Sequence, residues 1–340
     1  MKTEYRIKNL RGPKVLLLPV TTRCNASCIM CTIWKQTPDS ISAEFLSRAF
    51  EDGVLAKDLG YLGLTGGEPT LLDDLPELTE FIIERSPHLQ EISLNTNGFL
   101  STRVIETVKR LLEITHKRKI NFIVYVSLDG TGDTHDAVRG MKGAFEKVEF
   151  TIKELKDILQ KEEIAELAIN SVVTRMNADK VTETFKYAKS IDVPINFSLV
   201  MNTDTCINSK ESDTEFEILP EQVPGLRRFF SKMKMISRIN GDDSLQYLYY
   251  QHILKMLQSS PRDLMCPFAE GNGCLIDPLG NVYPCGMSEE LYMGNVLETS
   301  FGDIWRDNDV RKRLDRSLRA FCSHCESNCF IHASESVWKT

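Results

Sequence analysis

No stretch of this 340-residue chain approaches the roughly 18–20 consecutive apolar residues that a membrane-crossing helix needs, which excludes a helical membrane protein. The apolar run near the N-terminus is about seven residues long and holds a proline, so it lacks the form of a secretory signal. No long basic run is present and the net charge is −7, so nucleic acid is not the default partner. Internal repeats and low-complexity tracts are also missing, which removes solenoids and linker-like chains. With 42% apolar and 26% charged residues, the composition is that of an ordinary globular protein with ample core. The chain reads as cytoplasmic, with no membrane partner.

Cysteine, by contrast, is plentiful. Ten are present: Cys24, Cys28 and Cys31 near the start, Cys206 alone, and Cys266, Cys274, Cys285, Cys322, Cys325 and Cys329 towards the end. A secreted disulfide framework would come with a signal sequence and a small, loop-rich domain. Clusters of cysteine in a reducing compartment favour metal instead. Three thiols cannot close two disulfides, and they are one short of a complete four-sulfur site. A cuboidal four-iron cluster on three cysteines leaves one iron open to bind something else. A zinc knuckle and three unconnected core cysteines are the alternatives.

Between the two cysteine regions the pattern alternates. Lys14 to Val20 reads as a buried strand delivering the chain to the first cysteine loop. Apolar residues at Phe45, Leu46, Ala49, Phe50, Val54 and Leu55 predict a helix over 42–58. Strands follow at 61–65, 91–95, 122–128, 167–173 and 195–200, with helices at 74–86, 101–115, 143–160, 179–190 and 220–238. Six strand–helix units with apolar strands imply an α/β fold with a parallel sheet and helices outside it. Six fall short of the eight of a closed barrel, so the expectation is a partial (β/α)6 parallel barrel. It spans residues 1–240, and a small cysteine-rich domain spans 241–340, with the boundary near 240–265. Polar residues stand at the C-terminal strand ends, where such folds keep their chemistry: Gly66 to Glu68, Asn97, Ser127, Asp129, Asn177 and Met201 to Cys206.

Cys24-Asn-Ala-Ser-Cys28-Ile-Met-Cys31 followed by Gly66-Gly-Glu-Pro69, in register with a parallel-sheet pattern over about 14–240, resembles the radical S-adenosylmethionine (SAM) superfamily. The resemblance implies a [4Fe-4S] cluster on Cys24, Cys28 and Cys31 whose open iron is chelated by the amino and carboxylate groups of S-adenosylmethionine. An electron from the cluster then cleaves the sulfonium, and the resulting 5′-deoxyadenosyl radical takes a hydrogen atom from substrate. Such chemistry calls for an external reductant such as flavodoxin or ferredoxin. The resemblance further implies that Gly66 and Gly67 admit the methionine part. Glu68 would stabilise that loop or bind the ammonium, Met30 and Met201 would back the adenine, and Ser127 would contact the cofactor. Arg139 would pair with the cofactor carboxylate.

The C-terminal cysteines, with Gly280-Asn-Val-Tyr-Pro-Cys285 and Cys322-Ser-His-Cys325, resemble the auxiliary-cluster extensions called SPASM and twitch. A full extension implies seven cysteines and two further clusters, whereas six are present here. Two clusters would therefore draw on His324, His332, Glu326 or open irons. One four-cysteine cluster with two spare cysteines is the alternative, and so is zinc at Cys322 and Cys325.

The resemblance implies an enzyme whose outcome is dehydrogenation, cross-linking or, with Cys206 returning a hydrogen atom, epimerisation. Cys206 as an unremarkable loop cysteine is the other reading of that residue. Enzymes with such extensions often act on ribosomally made peptides, and many carry a leader-binding domain ahead of the barrel. Some 13 residues precede it here, which turns the expectation towards sugar, aminocyclitol or nucleoside substrates beside peptides. A non-catalytic iron–sulfur protein for electron transfer or assembly is the reading from another class, but it would not need the Gly66–Glu68 turn.

Overall fold

The computed structural model describes residues 11–201, 216–239, 245–260, 266–286, 288–322, 325 and 337. Cys206, Cys329, His324, Glu326 and His332 lie outside the described residues.

Six strands carry the N-terminal part: β1 (Val15–Thr21), β2 (Tyr61–Gly66), β3 (Glu91–Thr96), β4 (Asn121–Ser127), β5 (Ala165–Val173) and β6 (Ile195–Leu199). They pair in parallel in chain order. Their runs of Leu, Ile, Val and Phe are buried: Leu16, Leu18 and Val20, Leu62, Ile92 and Leu94, Phe122, Val124 and Val126, Ile169 and Phe197 are fully covered. The helical layer holds α1 (Ala43–Ala49), α2 (Val54–Lys57), α3 (Leu75–Arg85), α4 (Ser101–Arg118), α5 (Asp133–Arg139), α6 (Ala144–Leu159), α7 (Val181–Ser190), α8 (Val223–Ile239) and α9 (Leu245–Met256).

The sheet does not close. It runs in the order β6-β5-β4-β3-β2-β1-β7-β8-β9, so β6 stays at one edge. On the far side of β1 comes β7 (Gly273–Ile276), which pairs with it in parallel, Val15 opposite Gly273 and Leu16 opposite Cys274. β8 (Asn281–Tyr283) and β9 (Gly294–Asn295) continue antiparallel. The cysteine-rich segment therefore extends the first sheet, and no second sheet is present among the described residues. Two helices, α10 (Phe301–Arg306) and α11 (Asn308–Cys322), follow.

The single helix expected over 42–58 is two. The chain breaks after Phe50, and Gly53 takes φ +70°, a left-handed conformation in which glycine carries no Cβ penalty. Asp52 accounts for the restart, because one carboxylate oxygen accepts from Val54 N at 2.9 Å and the other from Gly302 N at 2.5 Å. A second difference is α5, a seven-residue helix between β4 and α6.

Candidate active site at the C-terminal strand ends

β1 ends with a register shift between Pro19 and Thr21, where proline has no N–H to give the ladder. The cysteine loop begins there and is held from two sides. On the first side stands the Gly66–Glu68 turn: Gly67 N donates to Thr21 O and Glu68 N to Arg23 O, both at 2.8 Å. A Cβ on Gly67 would lie 2.0 Å from Arg23 O, and one on Gly66 would lie 2.4 Å from Thr21 O. These two glycines thus admit the backbone of the cysteine loop itself.

Glu68 is buried beneath that contact. Its Oε1 accepts from Thr70 N, Thr70 Oγ1 and Thr96 Oγ1, and its Oε2 accepts from Asn97 N at 2.7 Å. Burial pushes the carboxyl pKa up, and these donors pull it down. Of the two roles expected for Glu68, the geometry supports the loop-stabilising one. It joins the ends of β2 and β3.

α5 forms the second side. Ile29 N donates to Val138 O at 3.1 Å, Ser27 Oγ to Gly140 O at 2.9 Å, and Arg139 Nη1 stands 3.7 Å from Cys28 Sγ. Three successive residues of one segment meet three of the other. Gly140 ends α5 at φ +64°, and a Cβ there would lie 2.2 Å from Ser27 O.

Cys28 is buried, and Cys24 and Cys31 are partly covered. Burial, with the other cysteines adding, pushes the Cys24 thiol up to about 11 and the Cys31 thiol up to about 12. Asn97 Nδ2 lies 4.0 Å from Cys24 Sγ and 2.7 Å from Asn25 Oδ1. Among the described residues, no three His, Cys, Asp or Glu side chains gather to the spacing of one metal ion. A cube spreads its ligands wider than a single ion does. Three thiols on one loop, each within electrostatic reach of the others and two of them approached by N–H donors, fit a cluster with one open iron.

The remaining expected residues are distributed along the same edge. Ser127 closes β4 opposite Asn170 of β5 and is half-buried. Met30 is half-buried against the core, and Met201 is half-buried just after β6. Arg139 is not available as an unengaged cation: its Nε lies 2.6 Å from Asp129 Oδ2. Burial pushes the Asp129 carboxyl up and Arg139 opposes it. Burial would lower the guanidinium, but Asp129 and Cys28 outweigh it and its net shift is upward. His135, whose Nδ1 accepts from Asp129 N, is held neutral by burial, its pKa down to about 3.

Sequence reasoning missed a row of amides on the inner face: Asn95, Asn170, Asn196 and Gln246 contact one another in turn at 3.4, 3.3 and 2.6 Å. Polar residues at alternate positions of apolar strands were the available signal. The six strands contain no Lys or Arg.

In the C-terminal region Cys266 and Cys285 are half-buried and lie outside the strands, while Cys322 and Cys325 are buried at the end of α11 and just beyond it. His252 Nε2 lies 3.2 Å from the Cys325 carbonyl oxygen. Cys274 differs from these. It sits inside β7 with no exposure, and burial alone pushes its thiol far up.

A strand-end cysteine loop clamped by a Gly-Gly-Glu turn defines a class, and comparison with known proteins agrees. The chain belongs to the radical SAM superfamily, whose model matches residues 18–188, and residues 266–326 match an iron–sulfur cluster-binding domain, SPASM. It is 26% identical to the AdoMet-dependent heme synthase of Methanosarcina barkeri over 93% of this chain and 89% of that one. It is 24% identical to a mycofactocin maturase of Mycobacterium tuberculosis, over 94% and 78%. In fold it is similar to native anSMEcpe with bound AdoMet and Kp18Cys peptide, at TM-score 0.64 and 20% identity, covering 96% and 95% of the chains. The protein is a radical SAM enzyme, and its cofactors are S-adenosylmethionine and iron–sulfur clusters. No helix among the described residues is long and apolar enough to cross a membrane.

Proposed function

We propose that this enzyme abstracts a hydrogen atom from a substrate bound over the inner face of the sheet, with Cys24, Cys28 and Cys31 holding the cluster that S-adenosylmethionine completes. The observation that carries this is the convergence of the cysteine loop, the Gly66–Glu68 turn, Asn97 and Arg139 at one strand-end edge. When bound, the cluster and S-adenosylmethionine together supply a carbon-centred radical that removes hydrogen. The chain's own residues set the geometry. Glu68 fixes the turn that holds Thr21 and Arg23, and α5 fixes Ser27 to Ile29. Met30, Ser127 and Met201 offer apolar and hydroxyl contacts along the edge.

The inner face supports a substrate class. Neutral amides at Asn95, Asn170 and Asn196 line it, and its strands bring no Lys or Arg; the carboxylates of Glu91 and Glu166 stand at the opposite, N-terminal ends of β3 and β5. Peptide, sugar or aminocyclitol substrates, neutral or positively charged, suit such a wall better than polyanions. Cys266, Cys285, Cys322 and Cys325 are the ligands we assign to one auxiliary cluster. Cys274 is then one of the two spare cysteines, packed in the core.

The test is anaerobic reconstitution with S-adenosylmethionine and dithionite. Formation of 5′-deoxyadenosine that is lost in the Cys24→Ala, Cys28→Ala, Cys31→Ala triple variant is expected. Its absence from the reconstituted wild type would sink the reading. Deuterium carried into 5′-deoxyadenosine from labelled peptide or aminocyclitol, compared with a labelled iron porphyrin, decides the substrate class.

A further inference from the structure

Among the described ion pairs, Asp129 and Arg139 alone have both side chains nearly covered; every other has a partner more than half exposed. Burying two charges carries a desolvation cost that their attraction must first offset, and apolar residues would hold the same place as well. The reason for a charge here lies in what Arg139 faces. Its planar guanidinium meets Asp129 through Nε and turns Nη1 towards Cys28 Sγ, 3.7 Å away.

Asp129 is itself fixed on three sides, which leaves Oδ2 to face Arg139. Its Oδ1 accepts from Val172 N at 2.7 Å, its N–H donates to His135 Nδ1 at 3.0 Å, and its carbonyl accepts from Asn177 Nδ2 at 2.6 Å. Asn177 is anchored in turn by accepting from Thr174 N. The ends of β4 and β5 thus aim one cation at one sulfur.

We infer that Arg139 is a positioning residue that donates to the Cys28 thiolate and raises the reduction potential of the cluster, with Asp129 as its aiming group and counter-charge. Reduction adds one electron to the cluster, so a nearby cation favours the reduced state, and a hydrogen bond to a ligating sulfur acts in the same direction. The inference rests on the assignment of Cys24, Cys28 and Cys31 as cluster ligands. It departs from a role for Arg139 on the cofactor carboxylate, which would act only once S-adenosylmethionine is bound.

The experiment is a redox titration of the reconstituted full chain without S-adenosylmethionine, followed by electron paramagnetic resonance. The triple cysteine variant identifies which signal belongs to this cluster. Arg139→Gln is expected to move the midpoint to more negative potential. At fixed poise its reduced-to-oxidised ratio should fall about tenfold, equal to about 59 mV for one electron. Arg139→Lys should move it less. Asp129→Asn leaves the cation uncompensated and should move it in the opposite, positive direction. Opposite signs from two partners of one buried pair are not what a merely structural role gives. An Arg139→Gln protein with full iron and the wild-type midpoint overturns the inference, even if it binds S-adenosylmethionine more weakly. Should that variant fail to take up iron, Asp129→Asn decides: a positive shift supports the inference, and no shift or a negative one overturns it. If the triple variant keeps every cluster signal, the ligand assignment itself falls.

Discussion

Glu68 shows how a motif can look like a ligand and act as a joint. A carboxylate only accepts, and here it meets four donors from Thr70, Thr96 and the Asn97 backbone. Replacing it by alanine would strand buried donors, each costing about 1–3 kcal/mol. Glu68→Ala is therefore expected to destabilise the metal-free chain by about 3 kcal/mol or more, read as a lower denaturant midpoint with unchanged slope. Glu68→Gln retains the volume but offers an amide where the pocket presents donors to both oxygens, so it should recover only part of the loss. A metal-free Glu68→Ala chain of wild-type stability would show that Glu68 serves a bound ligand and not the turn.

At the level of elements, what could be foreseen followed from local chemistry. Strands such as Phe122-Ile-Val-Tyr-Val126 are β-branched and aromatic, and Gly60, Asn97-Gly98 and Asp129-Gly130 punctuate them, so their number and order were legible. α5 was not. Asp133-Thr-His-Asp-Ala-Val-Arg139 has no apolar stripe and is too short to be stable alone, so its helicity comes from tertiary contacts: His135 to Asp129, Val138 to Ile29 and Gly140 to Ser27. Arg139 was legible as a charge near the site, but its partner lay ten residues away across a turn whose shape no periodicity encodes. The same contacts give a prediction. Gly140→Ala adds a Cβ at a positive φ and against Ser27 O, so α5 and the cysteine loop must separate. Hydrogen exchange at the Ile29 amide should rise in the metal-free protein, while exchange at the strand amide of Val124 stays as it was. Slow exchange at both would show that α5 does not clamp the loop.

Across the whole molecule the cysteine-rich segment is part of the sheet that bears the active site. β7 covers β1 along Val15 to Leu17, Lys14 N and Val15 N both donate to Asn272 O, and Gly302 N donates to Asp52. The apolar run that marked β1 as a buried strand carried no information on what lies beside it, because pairing across some 250 residues leaves no local trace. The consequence is mechanical. Without the segment, β1 would be an edge strand presenting unpaired backbone beside a fully apolar run. A chain ending at residue 260 should therefore aggregate, or recover as oligomers on size-exclusion chromatography, even with all of its N-terminal cysteines present. Its N-terminal cluster content should fall too, since β1 delivers Thr21 to the Gly67 contact that begins the cysteine loop. Asp52→Ala is the milder form of the same cut, removing a restart of α2 and the tie to Gly302 together. It should cost about 1–3 kcal/mol and speed proteolysis within 288–322. A truncated chain that stayed monomeric and loaded its cluster as the full chain does would mean that the two cysteine regions share a sheet without depending on it.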